Sequence, residues 1–160
     1  MSAVTEVYQA NSATGIVGLG IESVVLQDVD GVSVSQVNVV DDATTGVITA
    51  TLSDHSMEEL NKLRSYGSNA YTVTLVDATI NAADLIALDN KTSVQISAEQ
   101  VQRIVGTKDE ILDLYGRTQT IAGLGNEDIT IVSEVSVADA NLIDGLTSGV
   151  ITATLNEGRM

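Results

Sequence analysis

Apolar and polar positions alternate with period two in six short runs. These are Ser23-Val-Val-Leu26, Val47-Ile-Thr-Ala-Thr-Leu52, Tyr71-Thr-Val-Thr-Leu75, Val94-Gln-Ile96, Ile129-Thr-Ile-Val132 and Val150-Ile-Thr-Ala-Thr-Leu155. β-Branched residues at this spacing predict half-buried strands. Their inward set is Ile48, Ala50, Leu52, Val73, Leu75, Ile129, Ile131, Ile151 and Leu155. Their outward set is threonine: Thr49, Thr51, Thr72, Thr74, Thr130, Thr152 and Thr154. A second pattern follows most runs: Ser, Thr or Asn, then an acid or amide three residues on. It occurs as Ser33/Gln36, Ser56/Glu59, Asn81/Asp84, Thr107/Glu110 and Ser136/Asp139. A side-chain oxygen there accepts an orphan backbone N–H of a helix start, and the third residue reaches back to the cap. Ser97/Gln100 has the same form, but Gly106 soon after argues against a long helix. A further short helix is expected over residues 4–9.

The chain also repeats itself. Thr45-Gly-Val-Ile-Thr-Ala-Thr-Leu52 recurs as Ser148-Gly-Val-Ile-Thr-Ala-Thr-Leu155, an offset of 103. Gly18-Leu-Gly20 recurs as Gly123-Leu-Gly125, an offset of 105, and the difference falls near Asp30-Gly31. Val7-Tyr8 and Leu114-Tyr115 stand before the two Gly-Leu-Gly strings. Ala83-Asp-Leu-Ile-Ala-Leu-Asp89 matches Ala138-Asp-Ala-Asn-Leu-Ile-Asp144, closed by Thr92-Ser93 and Thr147-Ser148. Residues 1–160 therefore form a single repeat domain of about one and a half copies of a unit slightly over 100 residues. Inside it, strands step by 21 to 26 residues, with one longer step from Val94 to Ile129. That beat is short for a βαβ crossover and suits leucine-rich-type coils. The expected fold is an α/β solenoid of strand-plus-short-helix coils with one parallel β-sheet. An ordinary mixed α/β domain is the competing reading.

The strings from Gly123 to Ile131, from Val137 to Asp144 and from Thr147 to Thr154 carry a family resemblance, as do Asn69-Ala-Tyr-Thr-Val-Thr74 and Gly106-Thr107. In them the chain resembles repeat modules of large acidic surface proteins of marine bacteria and cyanobacteria, and of cyanophage structural proteins. The resemblance implies a structural or adhesive role and assigns no catalytic residue.

Composition narrows the function classes. Seven Lys and Arg stand against 22 Asp and Glu, a net charge of -15, and the first positive residue is Lys62 after nine carboxylates. Binding nucleic acid relies on cations displacing counterions from phosphates, so it is not expected as a partner. An anionic N-terminal third likewise repels acidic membranes. No apolar run approaches a membrane span, so membrane insertion is not expected. The first residues lack the basic and apolar regions of a cleaved secretory signal. There is no Cys, Trp, Phe or Pro, and all aromatic residues are Tyr. Yet 44% of the chain is hydrophobic, enough for a packed core.

Calcium is the cofactor that needs weighing. Gly18-Leu-Gly20-Ile-Glu22 and Gly123-Leu-Gly125-Asn-Glu127 resemble fragments of calcium-binding nonapeptide turns, and Asp28, Asp30 and Asp128 stand nearby. The two fragments lie over 100 residues apart, whereas such turns share ions between neighbours. Asp28-Val-Asp30-Gly31 is too short for an EF-hand loop. The simpler reading makes these glycines tight turns and the acids solvated groups or caps, with no metal. Gly15-x-x-Gly18-x-Gly20 precedes a strand, while phosphate loops follow one and open a helix. His55, the only histidine, is flanked by Asp54 and Ser56, but consecutive residues point apart rather than converging as a triad. The threonine ladder has the form of an ice-binding face but is broken at Gln95 and Asp128. No enzymatic activity is expected.

Exposed strand edges pair with other chains. Val4, Val7 and Tyr8 at one end, and Val150, Ile151 and Leu155 at the other, are the expected assembly residues. The expected partners are the chain itself or neighbouring structural proteins. The expected function is a self-assembling structural protein, a phage virion component in the first instance. The alternative is a calcium-dependent bacterial adhesin module at the cell surface.

Overall fold

Alternation between branched apolar residues and threonine produces short strands, and all but the last of each sheet are paired by a strand further along the chain. In the computed structural model, which describes residues 20–64 and 68–156, the elements are β1 (Val24–Leu26), α1 (Val34–Asp41), β2 (Ile48–Thr51), α2 (Met57–Leu60), β3 (Ala70–Thr72) and β4 (Thr79–Asn81). They continue with α3 (Ala82–Asp89), β5 (Ile96–Ser97), β6 (Arg103–Gly106), α4 (Lys108–Tyr115), β7 (Ile121–Ala122), β8 (Asp128–Val135), α5 (Val137–Asp144) and β9 (Ile151–Leu155). The fold is α/β, and every strand pair is parallel.

Strand order follows the chain: β1-β2-β3, β4-β6-β8-β9 and β5-β7. Val24 pairs with Ile48, Thr49 with Ala70, Arg103 with Asp128 and Ile129 with Ile151. An isolated parallel bridge between Thr74 and Ser97 links the β3 segment to that of β5. The single expected sheet is thus divided, because segments from β3 onward bend between two strand stretches. β6 and β7 occupy the long step between Val94 and Ile129, where no strand was expected. Ser97 lies in β5 rather than capping a helix.

Inward residues behave as their pattern predicts. Ile48, Leu75 and Ile129 are fully buried, and Ala50, Leu52, Val73 and Ile131 nearly so. They join Leu85, Ile104 and Leu114 from the segments that follow in one apolar cluster between strands and helices. Thr49, Thr51, Thr72, Thr74, Thr152 and Thr154 are exposed, and Thr130 is half-buried. Ile151 and Leu155 depart from the pattern: Ile151 is half-buried and Leu155 is 47% exposed. Among the described residues β9 is paired only by β8, so nothing covers its outer side.

Helix starts are capped in two ways. Ser33/Gln36 and Thr107/Glu110 form reciprocal capping boxes, and Ser136 accepts the Asp139 N–H. Ser56 and Asn81 accept no backbone N–H. The next segment contributes at two helix starts: Asp77 accepts the Met57 N–H of the Ser56 helix, and Asp54 accepts the Val34 N–H beside the Ser33 capping box, both at 2.6 Å. Helix ends are tied forward too. A carboxylate at a helix C-terminus opposes the helix dipole, and Asp41 and Asp89 occupy that position, buried. Asn69 Nδ2 donates to Asp41 at 2.8 Å, while Arg117 and Thr120 donate to Asp89.

After three helices a threonine fastens the chain to the preceding segment. Thr44 donates to the Glu22 carbonyl, Thr92 to that of Tyr71, and Thr147 to that of Glu127. Each hydroxyl also accepts the N–H two residues on. Gly46 and Gly149 lie so close to the preceding segment that an added Cβ would overlap the carbonyl oxygens of Glu22 and Glu127. The turns before those carbonyls close on their own acids: Glu22 accepts the N–H groups of Gly20 and Ile21, and Glu127 those of Gly125 and Asn126. Glu127 is fully buried and also accepts the Tyr115 hydroxyl at 2.8 Å.

Gly46→Ala forces a backbone shift in a filled interior, where overpacking costs about 1–3 kcal/mol; a lower urea midpoint is expected, and an unchanged one would refute the close approach. Burial pushes the Tyr71 and Tyr115 hydroxyls well above their usual range, with the charge of Asp41 adding at Tyr71 and the Glu127 hydrogen bond at Tyr115. The folded state therefore favours neutral tyrosine. That contribution is intact below about pH 10, where unfolded tyrosine titrates, and is lost as pH rises beyond it. Tyrosinate absorbance should show these two groups ionising only with unfolding, and Tyr115→Phe should lower stability by about 1–3 kcal/mol by removing a donor from a buried acid.

Candidate functional site at the β9 edge

The residues proposed for calcium do not converge. Glu22 and Glu127 are turned back onto their own loops, as described above. Asp128 accepts the Val150 N–H and lies 3.6 Å from Arg103. Asp28 and Asp30 are exposed, and the Asp28 carbonyl accepts the Gly31 N–H. Among the described residues no three His, Cys, Asp or Glu side chains are grouped to hold a metal ion. His55 Nδ1 faces the Thr74 carbonyl at 3.0 Å, while the Asp54 carboxylate is turned to the Val34 N–H. The hydrogen bonds of Asp54 and His55 thus run to different segments.

Of the expected assembly residues, Val4, Val7 and Tyr8 lie outside the described residues. Val150, Ile151 and Leu155 come together at the β9 edge. Val150 is 67% exposed and precedes the strand rather than belonging to it. Beside β9 runs α5, of which only Ile143 is buried. Strand and helix enclose a shallow groove of about 300 Å³ lined by Ala140, Asn141, Asp144, Ile151, Ala153 and Leu155. Its floor is apolar and its helix side carries an amide and a carboxylate, both exposed.

Backbone polarity adds to the groove. The Ile129 N–H donates to the Val150 carbonyl. Alternation along a parallel strand then turns the Ile151 N–H toward the open side. The period-two pattern located Ile151 and Leu155 of this groove. Asn141 and Asp144 escaped it, because their part depends on which helix face meets the strand; for Asp144 the match of residues 138–144 to 83–89, which sets it on Asp89, was the available signal.

No helix among the described residues is long and apolar enough to cross a membrane. A second concavity, beside Gly20 and residues 41–45 at the end of α1, has a volume of about 460 Å³. It is lined by Asp41, Asp42 and Thr44, whose side chains already hold neighbouring segments. In comparisons with known proteins, no family model, curated protein or solved structure matches the chain.

Proposed function

We propose that this is a non-enzymatic structural protein, a strand-plus-helix solenoid that self-assembles or packs into a larger particle as a phage virion component. The observation that carries the reading is the contrast between two strands of the same sequence. Ile48, Ala50 and Leu52 are each at most 3% exposed, whereas their duplicates include Leu155 at 47%. A strand with an unpaired edge and an apolar inner face is a template for another chain. The solenoid reading is supported by parallel pairing in chain order and by contacts of α2 with α3, α3 with α4 and α4 with α5. The resemblance to cyanophage and marine bacterial surface modules supports a particle or surface layer as the setting.

Solution mass by light scattering tests this. Mass should climb with protein concentration, in calcium and in chelator alike, and Leu155→Glu should hold the protein at lower mass. Growth only in calcium would favour the cell-surface adhesin. Constant monomer mass in both buffers would overturn self-assembly.

A further inference from the structure

The outward face of the β1, β2, β3 and β5 segments carries no charge. Alternate positions from Ser23 to Gln27, Val47 to Ser53, Ala70 to Val76 and Gln95 to Ser97 are Ser, Val, Gln, Thr or Ala throughout. Val25, Thr49, Thr51, Thr72 and Thr74 stand exposed at its centre. Register sets Val25 beside Thr49, Thr51 beside Thr72 and Thr74 beside Ser97, and the pairing of β2 with β3 is unbroken. Strands about 4.8 Å apart, with outward side chains about 6.6 Å apart along each, make this a flat array of hydroxyls and methyls. The rest of the surface is different. Outward positions of the β4-β6-β8-β9 sheet include Arg103, Asp128 and Glu134, and on the helix side Glu58, Asp109 and Asp113 are exposed. Asp28 and Asp30 stand in the turn after β1, outside the strand positions.

We infer that this face packs against the same face of a second copy, sheet on sheet, about a two-fold axis. Two chains of net charge -15 repel one another, and here they can meet without setting carboxylate against carboxylate. A two-fold contact also requires a surface complementary to itself. A threonine hydroxyl both donates and accepts, so a threonine face satisfies its own copy, whereas carboxylates only accept. Branched Thr and Val side chains suit two sheets stacked about 10 Å apart. Four segments, each about five residues long, offer roughly 300 Å² per copy. A stable complex buries about 800 Å² per partner, so the contact is weak between single molecules and strengthens where many copies stand in register. It adds a lateral contact to the self-assembly proposed at β9, and it does not depend on that edge.

The full chain carrying Leu155→Glu, which blocks the β9 edge, isolates the lateral contact. Sedimentation equilibrium at up to about millimolar protein should show a weak monomer–dimer equilibrium. Association should strengthen as NaCl rises from about 20 mM to about 0.5 M, because salt screens the repulsion between acidic chains and takes nothing from a neutral contact. Thr72→Asp, at an exposed side chain, should weaken it by about tenfold or more with the fold intact by circular dichroism, since the two-fold sets like charges together. Mixing Thr72→Asp with Thr72→Lys should restore a dimer that neither forms alone, which identifies the occupant as a second copy. Association that weakens with salt, or that Thr72→Asp leaves unchanged, would overturn the inference. Arrest of ice growth by a protein of constant mass would also overturn it, and would give the threonine face to ice. Mass growth in the unaltered chain that Leu155→Glu removes entirely would leave the β9 edge standing and remove the lateral contact. A dimer equally strong with and without Leu155→Glu would do the reverse.

Discussion

A parallel strand cannot be completed by the residues that immediately follow it, because its partner must arrive after a crossover. Several polar obligations among the described residues pass to a neighbouring segment. Asp54 and Asp77 take N–H groups from the helices before them, and Thr44, Thr92 and Thr147 donate to carbonyls about twenty residues back. Asn69 performs two such tasks at once, at a strand N–H and at a helix-end carboxylate. The apolar core obeys the same rule, since one face of each strand is covered only when the following segment is laid down. Stability is consequently borrowed forward along the chain.

That dependence explains what could be read in the sequence. Period-two runs identify residues 24–26, 48–52, 128–132 and 151–155 because each has one wet face, and a face of threonine against Ile, Ala and Leu is unambiguous. The capping boxes at Ser33 and Thr107 are legible because both partners lie within four residues. β4, β6 and β7 are shorter or lack alternation: Arg103-Ile-Val-Gly106 has adjacent apolar residues and a terminal glycine, and Ile121–Ala122 has only two positions. Distant partners are hidden for another reason. Nothing local separates Asp54, which caps a helix twenty residues earlier, from Asp30, which is exposed. The candidate site divides likewise, with Ile151 and Leu155 visible from alternation and Asp144 intelligible only once the role of Asp41 is known.

The acidic composition acquires a physical meaning in this setting. With a net charge of -15, copies of the chain repel one another except where a specific contact outweighs the repulsion. Exposed apolar groups such as Val29 and Val132 then lie on a surface that resists nonspecific association. Exposed edges are otherwise a hazard, and a short edge strand bounded by charge limits it. Within the chain, register is fixed by polar contacts: Asn69 donates to the Asp41 carboxylate and accepts the Ile48 N–H. A slip of β3 by one residue would set Tyr71, Val73 and Leu75 against solvent and leave Asp41 without this donor. Specificity between β2 and β3 thus comes from these polar contacts, and the apolar floor supplies the area over which they act.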